Sequence, residues 1–170
     1  MRKVMMAMTL VVTAGCSTAD GGRPATGEAA VTGAPIRYAT SPCFGTCPVY
    51  VVTIRPDGSG TFDGGRFTEA TGAHAFTADP TTYRRFAAAL APYRPRGERL
   101  VQPGAADCAN APTDMPGVDV RWGDAAAGDH LSFYNGCRSG NEAMAEALRR
   151  APDLLPIAAL IGRPPANASR

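Results

Sequence analysis

Four cysteines, Cys43, Cys47, Cys108 and Cys137, are the residues in this chain best suited to chemistry. Cys43-Phe44-Gly45-Thr46-Cys47 places two sulfurs close enough for a small ring. Such a pair can exchange disulfides if one thiolate is exposed and of low pKa, or it can staple a turn. Dithiol oxidoreductases use Cys-x-x-Cys at a helix N-terminus, whereas here three residues intervene and Pro48-Val49-Tyr50 leads into a strand pattern. The spacing also misses the common zinc knuckles, and neither His74 nor His130 is near in sequence. A structural staple is therefore the main reading, with thiol–disulfide exchange through Cys43 and Cys47 as the alternative.

Other reactive constellations are missing from the sequence. It has no Gly-x-Ser-x-Gly, no P-loop, no Gly-x-Gly-x-x-Gly, no His-Glu-x-x-His and no Cys-x-x-Cys-His. No catalytic residue, metal or cofactor is assigned. His74 alternates with Phe76, and His130 follows Asp129 at the start of a strand pattern, so both read as half-exposed strand residues. Asp114, two residues before Pro116, reads as a turn former. Trp122 and Tyr134 read as packing residues that could also line a ligand surface. Tyr50, Asp114, Trp122 and Tyr134 are the candidate binding residues, for a small ligand or another envelope protein.

These residues need a scaffold. The chain has 170 residues, 45% apolar and 19% charged, which supports one packed domain. Gly and Pro number 19 and 15, so it is turn-rich. Strands are expected at Ile36–Thr40 and Val49–Arg55. The turn Pro56-Asp57-Gly58 leads to a second hairpin arm at Thr61–Gly64. One or two further strands are expected in Arg66–Thr68 and Ala73–Thr77. Asp79 as N-cap, Pro80 at the first position and Tyr83, Phe86, Ala87 and Leu90 at helical spacing predict a helix that Pro92 ends. Pro92 to Pro116 reads as irregular. Val118, Val120 and Trp122 alternate with Asp119 and Arg121, and Leu131 and Phe133 with Ser132 and Tyr134, so two more strands follow. Asn141–Arg150 predicts a helix, and Asp153–Ile161 a final short one. The fold class is α+β: a two-layer domain over residues 36–162, with a mainly antiparallel sheet of about five to six strands and two to three helices. No internal repeat is visible.

The four cysteines form an even set, which in an exported chain reads as two disulfides with three possible pairings. The local pairing, Cys43–Cys47 with Cys108–Cys137, is preferred. Cys108 sits in the long irregular stretch and Cys137 just after the last strand, so that bridge would pin the stretch to the sheet.

Export itself is read from the N-terminus. Arg2 and Lys3 precede the short apolar run Val4 to Val12, then Thr13-Ala14-Gly15-Cys16. The run is about half the length needed to span a bilayer. Ala14-Gly15-Cys16 resembles a bacterial lipobox, with Thr13 where Leu is usual. The resemblance implies that residues 1–15 are a signal peptide and that Cys16 is the acylated first residue of the mature chain. Ser17, rather than Asp, points by the same resemblance to the outer membrane. The expected location is the cell envelope, lipid-anchored at the outer membrane and facing the periplasm. The bilayer is the expected partner, through acylated Cys16. Residues 17 to 35, rich in Gly, Ala, Thr and Pro, read as a flexible tether reaching about 25 Å. Residues 163–170 read as a loose tail.

The formal charge of +2 includes Arg2 and the single lysine, Lys3. Without them 15 basic residues face 15 acidic ones, which gives no basic footprint for nucleic acid. The scarcity of lysine beside abundant Arg, Ala, Gly and Pro reads as coding bias.

Ser41-Pro42-Cys43-Phe44-Gly45-Thr46-Cys47-Pro48-Val49-Tyr50, with Thr53-Ile54 and Asp57-Gly58 after it, resembles the bacterial family designated domain of unknown function 6438. Its members open with C-F-G-x-C-P-x-Y, a strand and a D-G turn. Thr113-Asp114-Met115-Pro116 resembles its later T-D-x-P element. The resemblance spans roughly Ile36 to Ile161 and implies an exported or lipid-anchored domain with no established activity. Many relatives carry only the first cysteine pair, which favours the local pairing and makes Cys108–Cys137 an addition in this chain.

Overall fold

A computed structural model describes residues 33–124 and 128–162. The expected signal peptide, Cys16, most of the expected tether and residues 163–170 lie outside the described residues.

The chain forms an α+β domain in which one open, mostly antiparallel sheet carries a helical layer on one face. The first strand, β1 (Ile36–Thr40), runs antiparallel to β2 (Tyr50–Ile54), with Tyr38 opposite Val52. From β2 the chain turns through Pro56-Asp57-Gly58 into β3 (Ser59–Gly64). Asp57 Oδ1 accepts from the Ser59 N–H (2.9 Å) and Oγ–H (2.7 Å), which closes the turn. Gly58 adopts φ 87°, and a Cβ there would collide with the Ala78 carbonyl. The outer strand β4 (Gly72–Thr77) follows.

Helix α1 (Pro80–Leu90) starts where the sequence places it, with Asp79 Oδ1 accepting from the Thr81 N–H at 2.7 Å. Its stripe Tyr83, Phe86 and Leu90 is buried against the sheet. After one turn of 3-10 helix at Ala91–Tyr93 come β5 (Glu98–Val101), β6 (Gly117–Trp122) and β7 (Asp129–Tyr134). Helix α2 (Glu142–Arg150) and the short α3 (Ala158–Ile161) complete the layer.

Among the described residues the sheet has seven strands in the order β4-β3-β2-β1-β6-β7-β5, more than the five to six expected. The extra strand is β5, inside the Pro92–Pro116 stretch read as irregular. It is four residues long, lies at the edge and pairs parallel with β7, Leu100 opposite Ser132. Its first three residues are exposed, so no alternation marks it. Arg66–Thr68 is not a strand: Phe67 takes φ 61° in the loop between β3 and β4. The final helix is also divided. A 3-10 turn at Ala151–Leu154 ends at Leu155, extended at φ −100° and ψ 151° before Pro156, and α3 begins two residues after that proline.

The core lies between sheet and helices. Tyr38, Val52, Phe62, Val120, Leu131 and Phe133 rise from the sheet to meet Phe86, Leu90, Met144, Leu148 and Ile157. The Tyr38 hydroxyl donates to the Leu148 carbonyl at 2.8 Å, tying the central strand to α2. Among the described residues the opposite face carries no helix, and it mixes charged and polar side chains with Val51, Ala39 and Leu100.

Candidate functional site

Both motif blocks read from the sequence lie in connections at one end of this sheet, and hydrogen bonds join them. The Phe44 N–H donates to the Asp114 carbonyl (3.0 Å). The Ser41 N–H donates to the Gly117 carbonyl (3.0 Å), and the Gly117 N–H donates to Ser41 Oγ (2.6 Å). Tyr134 completes the joint from β7. Its hydroxyl accepts from the Met115 N–H (3.0 Å) and donates to the Pro112 carbonyl (2.9 Å). Segments about seventy residues apart thus make one loop cluster on the ends of β1, β6 and β7.

Two disulfides brace the region. Cys43 is bridged to Cys47 and Cys108 to Cys137, the local pairing, with Cα–Cα distances of 5.8 and 5.1 Å. The first closes the ring that carries Phe44. The second ties the long connection before β6 to the turn after β7. Asn141 Nδ2 reinforces it by donating to the carbonyls of Asp107 and Cys137, both at 2.9 Å.

Large apolar side chains are exposed here. Phe44 is 91% exposed, Phe67 50% and Met115 40%, all three in connections at this end of the sheet. Phe67 and Asp114 are also the two non-glycine residues with positive φ among the described residues, at 61° and 65°. Each such conformation costs on the order of 1 kcal/mol or more and persists only where the surroundings impose it. For Asp114 the imposing contacts are the Phe44 bond and the Thr113 Oγ1–H bond to Asp114 Oδ2 (2.9 Å).

The open face of the sheet runs away from this end and carries two rows of side chains set by strand register. One row is Val51, Ala39, Asp119, Ser132 and Leu100; the next is Thr53, Arg37, Arg121, His130 and Glu98. A groove of about 480 Å³ is lined by Arg37, Ala39, Ser41, Asp119, Arg121 and Ser132 among others. Asp119 is its hub. Oδ1 lies 3.6 Å from Arg37 and 3.4 Å from Arg121, and Oδ2 lies 2.5 Å from His130 Nε2. His130 Nδ1 lies 2.8 Å from Glu98 Oε1. Both ring nitrogens therefore meet carboxylates. His130 is placed as a clamp between the parallel edge strand β5 and β6.

The sequence candidates fall into two groups. Asp114 and Tyr134 belong to the loop cluster. Tyr50 and Trp122 are buried instead: Tyr50 packs between Tyr38 and Phe62 at ring-centroid distances of 6.4 and 5.4 Å, and Trp122 lies under the Arg94 guanidinium at 5.7 Å. Their register explains this, since both sit on the strand face that the helices cover. His74 is exposed on β4, its Nε2 3.0 Å from the Thr71 carbonyl. Cys16 lies outside the described residues. Sequence reading passed over Phe44, Arg37 and Arg121. The polar alternation of β6 was visible, but the neighbouring strands that turn it into a groove were not.

The sequence model of the family described as domain of unknown function DUF6438 matches residues 34–155. The chain belongs to this family. Most of the DUF6438 match lies within the described residues, and it includes both bridges, the loop cluster and the open face. No functionally curated protein matches the chain. Among the described residues no helix is long and apolar enough to cross a membrane, and no group of three or more His, Cys, Asp and Glu side chains is arranged to hold a metal ion.

Proposed function

We propose that this protein is a recognition module of the bacterial cell envelope, held on a membrane through acylated Cys16, whose disulfides are structural. The observation that carries the reading is the display of Phe44 and Met115 on loops fixed by a disulfide ring and cross-bonded motif blocks, with Phe67 exposed in the β3–β4 connection at the same end of the sheet. Exposed apolar side chains grouped at one place mark interaction surfaces, and loops on a rigid scaffold are where such surfaces are built. Strain at Phe67 and Asp114 supports it, because strained residues cluster where a fold presents a functional surface.

The competing role is thiol–disulfide exchange at Cys43 and Cys47. Against it stands the local structure: Pro48 leads into β2, and no helix N-terminus follows Cys47 to lower a thiol pKa.

The test is a photo-crosslinking residue placed at Phe44, with Arg84 on the exposed side of α1 as control position. Irradiation of cells should give a discrete covalent adduct from position 44 and none from position 84. No adduct at 44, or the same pattern at both, contradicts recognition. Separately, a mixed disulfide captured by Cys47→Ser and released by reductant would establish the exchange role instead.

A further inference from the structure

We propose that Arg37 and Arg121 form an oxyanion subsite in the open-face groove, which takes a carboxylate or phosphate group of the bound ligand. The proposal rests on reading this end of the sheet as a recognition surface and names the chemistry of what it recognises.

Strand register sets like charges against each other in this groove. Arg37 on β1 stands directly opposite Arg121 on β6. Directly opposed side chains have Cβ atoms about 5 Å apart, and like charges there are destabilising. An ordinary sheet avoids this arrangement or intersperses acids. Here one acid, Asp119, faces both arginines, and its Oδ2 is already engaged by His130. Oδ1 is left between two guanidinium groups at 3.6 and 3.4 Å, and neither of them donates a geometrically sound hydrogen bond to a described residue. Glu98 does not offset them, because it is directed to the far side of His130 at Nδ1. Thr53, on the other side of Arg37, carries no charge. Each guanidinium presents several N–H donors, and both side chains are about two-fifths exposed, at 41% and 37%.

The floor suits an incoming group. Ala39 and Ser132 flank Asp119 in the adjoining row, and Ser41 and Gly117 lead toward the loop cluster. Small side chains between long ones leave the depression of about 480 Å³, a size typical of small-molecule or peptide-end sites. Two guanidinium forks match the geometry of a carboxylate or phosphate, and the hydroxyls of Ser41 and Ser132 line the same space. A ligand with an apolar part on the Phe44 loop and an anionic group between the arginines would use both features at once.

The experiment is an NMR titration of the full chain in a non-ionic detergent at low ionic strength, following the arginine Nε–Hε signals. The probes are inorganic phosphate, an N-acetylated alanine dipeptide with a free carboxylate, and the same dipeptide as its C-terminal amide. Saturable shifts of Arg37 and Arg121 with phosphate, the free-carboxylate peptide or both, and none with the amide, are expected; which probe acts identifies the oxyanion. Arg37→Gln and Arg121→Gln should each weaken binding about tenfold or more, while Arg149→Gln leaves it unchanged. Arg121→Lys, which keeps the charge and loses the fork, should also weaken it. The absence of a saturable shift with either oxyanion, or binding unaltered in the Arg37→Gln and Arg121→Gln variants, overturns the subsite. If the position-44 adduct persists in that case, only the subsite falls; if it is absent too, the recognition reading falls with it.

Discussion

Asp119 and Phe44 illustrate how much a single position carries in this fold. Asp119 is one carboxylate shared among two arginines and a histidine, while Phe44 is an aromatic side chain left in solvent. Elsewhere, acids are used conventionally, and the clearest case is Glu146 on α2. It accepts from Arg149 Nε (3.0 Å) and Nη2 (2.7 Å) and from Arg150 Nε (2.6 Å). These hydrogen bonds hold its pKa down to about 2, from 4.5. A depressed carboxylate stabilises the fold fully above its unfolded value and loses that contribution as pH falls through the folded one. The loss therefore falls between about pH 4.5 and about pH 2. The hydrogen bonds at Asp79, from Thr81, and at Asp129, from Gly97 and Arg94, lower those carboxyls too and act in the same direction. Thermal melts followed across that range should show a smaller acid-induced fall for Glu146→Gln than for the parent. The effect is modest, because the pair is exposed and screened.

Among the elements, the two bridges act on different lengths of chain. The Cys108–Cys137 bridge spans a separation of 29 residues, and the loop-entropy relation gives it about 3–4 kcal/mol. For the Cys43–Cys47 ring, separation 4, the same relation gives about 2 kcal/mol. Urea unfolding of Cys108→Ala/Cys137→Ala should therefore show a larger loss than Cys43→Ala/Cys47→Ala; equal losses would contradict the assignment. Elements with local signals were readable from the sequence. Asp79 and Pro80 announce α1, Pro56-Asp57-Gly58 announces the β2–β3 turn, and alternation announces β6 and β7. What escaped depends on distant partners. Glu98–Val101 is a strand because β7 lies alongside it, and Arg66–Thr68 is a loop because the chain there bends through a positive φ. The groove escaped for the same reason: Arg37 and Arg121 are 84 positions apart in sequence and adjacent only once β1 pairs with β6. Tyr50 and Trp122 are buried because the helices cover their strand face, and the strand patterns alone do not say which face that is.

At the scale of the whole molecule, the proposed lipid anchor would carry a domain braced by two disulfides. The tether reading predicts that Cys16→Ala abolishes incorporation of labelled palmitate in cells that acylate the parent chain; equal labelling would remove the lipid anchor from the account. Two acids, Asp119 and Glu98, fix the edge strand through His130, and two disulfides fix the connections. The loop cluster at one end of the sheet is braced by the two bridges while it exposes Phe44 and Met115. Rigidity of this kind lowers the entropy lost on binding. The most direct measurement is carbene footprinting of the intact cell envelope compared with the purified full chain. The account predicts protection of Phe44 and Met115 in the envelope, with exposed Leu154 in the helical layer labelled equally in both samples. Equal labelling of Phe44 and Met115 in the two samples would contradict it.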